Sequence, residues 1–327
     1  MIRFRGTDVS PVGIGTAAWG TGINGGEQMY GRTVSEVDQS YVFRQAVAHG
    51  INIFDTSPSF GSGENSLGRA SQFNKSVSFS TKFVPTGLQR KNAMKKSLAA
   101  SMRELGAESI DFYCIQSPAN VERWTAELIP LMDEGLIRFA GVANHSLSQI
   151  IRAQNVLEEA GKSLGFVQNH YSLLSHEEKD DGIIQWCKDN GVLFMSYMVL
   201  EQGALTRRYS SQTPFEPASF RGKTYTPKVL RALRPLKLLM RKIAEEYYVS
   251  EAQIAMAWCI GRGAIPIVGA TKSSHIGGIM SSLDFKLDDE DLRKLEETAD
   301  GIGIRTYGFW ERDGEDPPPV PRKKRFF

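Results

Sequence analysis

Eight short apolar segments recur along the 327-residue chain, each separated from the next by a longer stretch of helical periodicity. They are Val12 to Thr16, Ile51 to Asp55, Val77 to Lys82, Ile110 to Gln116, Ile137 to Asn144, Gly165 to Asn169, Val192 to Tyr197 and Ile265 to Gly269. Helical patterns fill 34–49, 64–72, 90–105, 121–135, 147–160, 182–190 and 235–260, the last broken near Val249. Several end in glycine just before a strand, as in AVAHGINIF, MDEGLIRF and CKDNGVLF, where a left-handed cap is wanted. Strands joined through helices pair in parallel, and a parallel sheet needs helices over its outer face. Eight such units in about 300 residues predict an α/β fold, a single-domain (β/α)8 TIM barrel. An open doubly wound sheet fits less well. The first strand reads GIGTAAWG, without the G-x-G-x-x-G spacing, and no acidic residue closes the second strand in the ribose-binding role.

The barrel is expected over residues 1–310, followed by a Pro-rich basic tail at 311–327 that contains EDPPPVPRKKRFF. Residues 198–234 form a polar, Pro- and Gly-containing stretch after the seventh strand, long enough to be functional. Lys and Arg number 39 against 37 Asp and Glu, which argues against a nucleic-acid partner, since that requires a dense basic surface. A small-molecule substrate is the expected partner. The N-terminus lacks the apolar core of a secretory signal, and no run of about 18 apolar residues suggests a membrane span. Cys114, Cys187 and Cys259 each sit in an apolar stretch and read as reduced core thiols of a cytoplasmic protein. The five histidines show no metal-ligand spacing, so no metal is expected; His145 and His170 read as hydrogen-bonded loop residues and His49 as a helix-terminal charge.

In a barrel of this kind the strand C-termini converge on one face and carry the chemistry. The polar residues there are Asp55, Lys82, Gln116, Asn144, Gln168 with Asn169, and Tyr197. In order and spacing, VGIGTAAWG, NIFDTSPSFGSGENSLGRA, STKF, LGAESIDFYCIQSP, GLIRFAGVAN, VQNHYSLL, SYMVLEQGALT and IPIVGATKSSH are similar to the aldo-keto reductase superfamily over nearly the whole chain. The resemblance implies a barrel that uses NADPH or NADH. Of the family's catalytic Asp, Tyr, Lys and His, it assigns Asp55 and Lys82. Phe60 stands at the tyrosine position and Gln116 at the histidine position, which makes this an atypical member.

The resemblance further implies that Asn144 and Gln168 hold the nicotinamide carboxamide and that Tyr197 stacks on its ring. Leu200 and Gly203 follow in the strand-seven loop, where Met198 and Val199 replace the usual Ser-Pro. Gly269, Thr271, Lys272, Ser273 and His275 would surround the adenosine phosphates, where helix-start N–H groups also favour anions.

Phe60 cannot protonate a developing alkoxide and Gln116 offers only a neutral hydrogen bond, so ordinary ketone reduction lacks its acid. A protonated imine needs none, because it arrives already charged and leaves as a neutral amine. The expected activity is therefore hydride transfer from NAD(P)H to a C=N bond, with Asp55 facing the cation and Lys82 relaying a proton. The alternatives are a non-catalytic NAD(P)H-binding protein, in which Asp55 and Lys82 form only a mutual salt bridge, and a carbonyl reductase with impaired acid catalysis. Trp19, Tyr30, Phe60, Phe83 and Tyr171 are the expected aromatic walls of the site, with Arg207, Arg208 and Glu201 as candidate contacts to substrate charges.

Overall fold

A computed structural model describes residues 1–22, 24–74, 76–86, 89–177 and 181–306. The basic tail and the boundary expected at residue 310 lie outside the described residues. Ten strands form among the described residues: β1 (Ile2–Phe4), β2 (Thr7–Val9), β3 (Gly13–Gly15), β4 (Ile53–Asp55), β5 (Ser78–Phe83), β6 (Ile110–Ile115), β7 (Ile137–Ala143), β8 (Phe166–His170), β9 (Leu193–Tyr197) and β10 (Ile265–Gly269). Strands β3 to β10 are parallel and close into a barrel in chain order, with β10 pairing both β9 and β3. These are the eight strands the apolar segments predict, several of them trimmed at the ends.

Side chains alternate across a strand, and the two faces here belong to two separate cores. Inside the barrel, Ile53, Phe112, Cys114, Phe139, Phe166, Met195, Ile265 and Ile267 pack together. Phe112 meets Phe166 edge-on at 5.4 Å between centroids. Gly141 leaves that ring its space, since a Cβ there would fall against the Phe166 ring atoms. The outward residues Phe54, Tyr113, Ile115, Val142, Val167 and Phe194 join the larger core between sheet and helices.

The expected helices are present over Glu36–Ala48, Gly63–Ala70, Ala93–Leu105, Val121–Asp133, Leu147–Glu158 and Ile183–Asp189, and the long pattern divides into Arg234–Glu246 and Glu251–Gly261. Ser250 caps the second of these through a reciprocal pair with Gln253, which explains the break near Val249. Several features escape the sequence reading, the short helix Gly26–Tyr30 among them. The β1–β2 hairpin turns at Arg5 and Gly6 and places Phe4 and Val9 in the barrel-interior core. The stretch 198–234 contains two short helices, Phe220–Thr224 and Pro227–Ala232, where an irregular loop is expected. Helices Ser274–Ser281 and Asp289–Ile302 complete the chain's described part.

Cys114, Cys187 and Cys259 are buried free thiols, and burial pushes Cys114 and Cys259 up to about 12. No helix among the described residues is long and apolar enough to cross a membrane. His145, in the turn after β7, and His170, the last residue of β8, are both buried and hydrogen-bonded. The His145 Nδ1 lies 2.8 Å from Ala143 O, and burial holds its pKa down at about 4.

A histidine that stays neutral when folded but protonates when unfolded makes stability rise with pH between its two pKa values. His145 therefore contributes a loss on the order of 3 kcal/mol as pH falls from about 6.5 to about 4. Denaturant unfolding across that window should show a shallower pH dependence in His145→Gln than in the unmodified protein.

Candidate active site

Asp55 ends β4 and Lys82 lies on β5, both facing the barrel axis and both buried. Lys82 Nζ lies 2.7 and 2.8 Å from the two Asp55 oxygens and 2.9 Å from Thr56 O. All three ammonium hydrogens thus have partners, and none remains for the expected proton relay in this arrangement. Ser80 Oγ and Gln168 Nε2 also donate to Asp55 Oδ1, at 2.6 and 2.9 Å. Gln168, expected at the nicotinamide carboxamide, thereby ties β8 to the ion pair.

A second chain of hydrogen bonds runs beside the first. Tyr197 OH donates to Asn144 Oδ1 at 2.6 Å, and Asn144 Nδ2 donates to Gln116 O at 2.8 Å. Asn144 holds a left-handed backbone with φ 62°, a conformation asparagine tolerates better than most residues. The Gln116 side chain accepts from Ser57 Oγ at 3.1 Å, so its amide NH2 remains the group it can offer a ligand. Phe60 follows in the short 3-10 turn Pro58–Phe60, and its carbonyl accepts from Gly22 N at 3.2 Å. A Cβ on Gly20 would strike that same carbonyl, so the glycine lets the first loop press against the Phe60 turn.

Asp55, Phe60, Lys82, Gln116, Asn144, Gln168 and Tyr197 all line one cavity of about 560 Å³ at the strand C-termini. It continues past Leu200 and Gly203 to Gly269, Thr271 and His275, so most of the residues expected around a dinucleotide share one continuous wall. Lys272 and Ser273 are not among the lining residues, and Ser274 takes their place. His275 is held below the ordinary histidine value by burial first and then by Arg32, Lys272 and Arg208.

The wall also departs from the expected aromatic set. Tyr30 and Phe60 line it, whereas Trp19, Phe83 and Tyr171 are buried behind it. Trp19 donates to Ala270 O, Phe83 packs on Trp124 at 4.7 Å and Tyr171 stacks on Trp258 at 4.8 Å. Strand alternation explains two of these, because Phe83 and Tyr171 follow the inward-facing Lys82 and His170 and must point the other way. Arg208 lines the cavity and Arg207 does not.

Glu201, expected as a contact to substrate charge, is fully buried and is not among the residues that line the cavity. It accepts from Ser172, Tyr225 and Thr306 and lies 2.8 Å from His170 Nε2. Burial alone would raise its pKa, but His170, Ser172 and Tyr225 together hold it lower. This anchor fixes a loop in which Met198, Glu201 and Gln202 all have positive φ, a costly backbone that surrounding contacts must hold.

Of the cavity's lining residues, Arg32, Lys82, Arg208 and Arg221 are basic and Asp55 alone is acidic. A wall so cationic in a protein of net charge +2 fits a ligand carrying several negative charges, as the phosphates of a nicotinamide dinucleotide do. The sequence reading missed Arg32, Arg221, Tyr209 and Gln253, which no strand end or motif marks.

An eight-stranded parallel barrel with a polar, cationic cavity at its C-terminal mouth defines a small-molecule protein of the TIM-barrel class. The model for the aldo/keto reductase family matches residues 11–300, and the chain belongs to that family. As a member it is an NAD(P)H-dependent oxidoreductase. It is 31% identical over 322 residues to the chloroplastic pyridoxal reductase of Arabidopsis thaliana, covering 91% of this chain and 85% of that one. An aldo-keto reductase of Strobilurus tenacellus is 26% identical over 319 residues, covering 91% and 92%. Among solved structures, the glycerol dehydrogenase of Gluconobacter oxydans superposes with a TM-score of 0.78 at 22% identity, over 94% of this chain and 97% of that chain. An aldo-keto reductase from Klebsiella pneumoniae in complex with NADPH gives 0.68 at 21% identity, over 90% and 93%.

Removing one member of a buried ion pair strands the other and costs about 3–5 kcal/mol, whereas removing both costs far less. Lys82→Met should therefore lower the unfolding free energy by roughly that amount, and Asp55→Leu combined with Lys82→Met should recover much of it. Chemical denaturation of the two single variants and the double variant reads this coupling.

Proposed function

We propose that the protein reduces a C=N bond, with a small imine or its protonated form as acceptor and NADPH or NADH as donor. The observation that carries this reading is Phe60, an apolar ring lining the cavity next to a Lys82 whose three N–H groups are already bonded. Neither group presents a proton to a carbonyl oxygen. An iminium carbon accepts hydride without one: the nitrogen takes its proton from solvent beforehand, the C=N π pair moves to nitrogen, and a neutral amine results.

Within this reading each residue has a task. Asp55, held by Lys82, Ser80 and Gln168, keeps its carboxylate fixed at the barrel axis within a pair that is neutral overall. Gln116 orients the acceptor through its amide NH2, and the Phe60 face borders the cation. Bound NAD(P)H supplies the hydride from C4 of its nicotinamide. Asn144, Gln168 and Tyr197 bracket the space for that ring, and the loop from Leu200 to Gly203 together with Gly269, Thr271 and His275 encloses the rest. Lys272 and Ser273 stand beside this wall, Lys272 close enough to His275 to lower its proton affinity. The reduced thiols suit a cytoplasmic setting.

Aldehyde reduction is the second reading, favoured by the 31% identity to a pyridoxal reductase, because an aldehyde is a better hydride acceptor than a ketone.

Phe60→Tyr separates the two. With cyclic and amino-acid-derived imines, the unmodified protein should oxidise NADPH, and the added phenol should not raise that rate. The same change should raise aldehyde turnover by at least tenfold, since a positioned general acid contributes roughly 10²–10⁴. Turnover of aldehydes and of no imine by the unmodified protein would contradict the proposal.

A further inference from the structure

The two serines beside Phe60 have no task in the reductase reading, yet their hydrogens can be counted one by one. Ser57 Oγ donates to Gln116 Oε1 at 3.1 Å and lies 2.8 Å from Ser59 Oγ. It also accepts from Ser59 N at 3.2 Å. A hydroxyl has one hydrogen, and a carbonyl oxygen has none to give. Ser57 has therefore spent its hydrogen on Gln116, and the bond between the two hydroxyls must be donated by Ser59. The series runs from Ser59 to Ser57 to Gln116.

Ser59 and Gln116 line the cavity, whereas Ser57 is not among its lining residues. With its hydrogen committed to Ser57, Ser59 Oγ keeps only lone pairs for a ligand. A second acceptor belongs to the same wall. Asn24 lines the cavity, and its Oδ1 is buried without a hydrogen-bond partner. In the chain Asn24 stands between Gly22, whose N–H donates to Phe60 O at 3.2 Å, and Gly25, where a Cβ would come within 2.9 Å of that oxygen. The first loop thus brings Asn24 to the turn that carries Ser59 and Phe60. A buried acceptor left unpaired is costly, so this wall favours a ligand that donates.

We propose that Ser59 is a specificity-determining residue, whose hydroxyl oxygen accepts the N–H of a protonated nitrogen on the hydride acceptor, with Asn24 Oδ1 receiving a further N–H. The ligand class is a small cation bearing N–H, a protonated imine before reduction and a protonated amine after it. An aldehyde or ketone oxygen has no hydrogen to give and would set its lone pairs against those of Ser59. The inference rests on the C=N reading proposed above. Turning the Gln116 amide over would reverse every bond in the series and give Ser59 a free hydrogen, with the opposite preference.

Piperidine, protonated at neutral pH, and tetrahydropyran, a ring of the same size without N–H, serve as probes, titrated by calorimetry into the full chain with NADP+ present. The unmodified protein should prefer piperidine, and Ser59→Ala should weaken its binding by about tenfold or more, as expected for a hydrogen bond to a charged group. Tetrahydropyran affinity should not fall in that variant. Ser57→Ala leaves Ser59 with a free hydrogen and should strengthen tetrahydropyran binding, which a mere loss of packing would not do. Should Ser57→Ala fail to fold, Asn24→Ala should weaken piperidine and spare tetrahydropyran. No piperidine binding by the unmodified protein, equal piperidine affinity in Ser59→Ala, or tetrahydropyran as the ligand that Ser59→Ala loses would overturn the assignment. Imine turnover by the same variants keeps the two proposals apart. Imine reduction with a KM that Ser59→Ala leaves unmoved would overturn this inference and spare the C=N reading, whereas Ser59-dependent piperidine binding without imine turnover would uphold the N–H site and remove that reading.

Discussion

The buried ion pair of Asp55 and Lys82 is the constraint on which the mouth of this barrel depends. Two charges taken out of water are costly unless every lone pair and hydrogen is met, and here they are met by each other, Ser80, Gln168 and Thr56 O. The bonds stitch β4, β5 and β8 together at the level where the cavity opens. Because the pair is internally complete, Phe60 can border it without stranding a charge. The same completeness leaves no Lys82 N–H free to protonate a ligand in this arrangement.

Much of this architecture is legible in the sequence because it rests on short-range periodicity. Strand spacing and glycine caps predict the closed barrel, and the inward positions Asp55, Lys82, Gln116, Gln168 and Tyr197 follow from their places at strand ends. Alternation carries more than the sequence reading used, since it puts Phe83 and Tyr171 on the outward face beside Trp124 and Trp258. The β1–β2 hairpin left a signal in its Arg5-Gly6 turn, and helix Asp289–Ile302 left one in its acidic first turn after the Asp288 cap. Arg221 left none. Its surroundings are assembled from Tyr30, Tyr209 and Phe215, which lie on separate segments, and only folding brings those rings to one guanidinium.

The cavity divides by charge. At the barrel axis the Asp55–Lys82 pair is neutral overall and is bordered by amides and a phenyl ring. Toward the loops after β3, β9 and β10 the wall is cationic, with Arg32, Arg208 and Arg221 and no acid. A polyanionic cofactor suits the second half and offsets its field, while a small acceptor suits the first. Between them, the strained Met198–Gly203 loop is held by Glu201, so the shape of the boundary is fixed by a buried carboxylate rather than by the ligand.

Hydride transfer to carbon of a C=N bond, as proposed, follows from Phe60 and Lys82 presenting no proton beside Asp55. A direct measurement is single-turnover competition using NADPH deuterated at C4, with a cyclic imine and an aldehyde of similar size present together, followed by mass spectrometry of both products. The account predicts deuterium in the amine and little or none in the alcohol. Deuterium in the alcohol alone would contradict it.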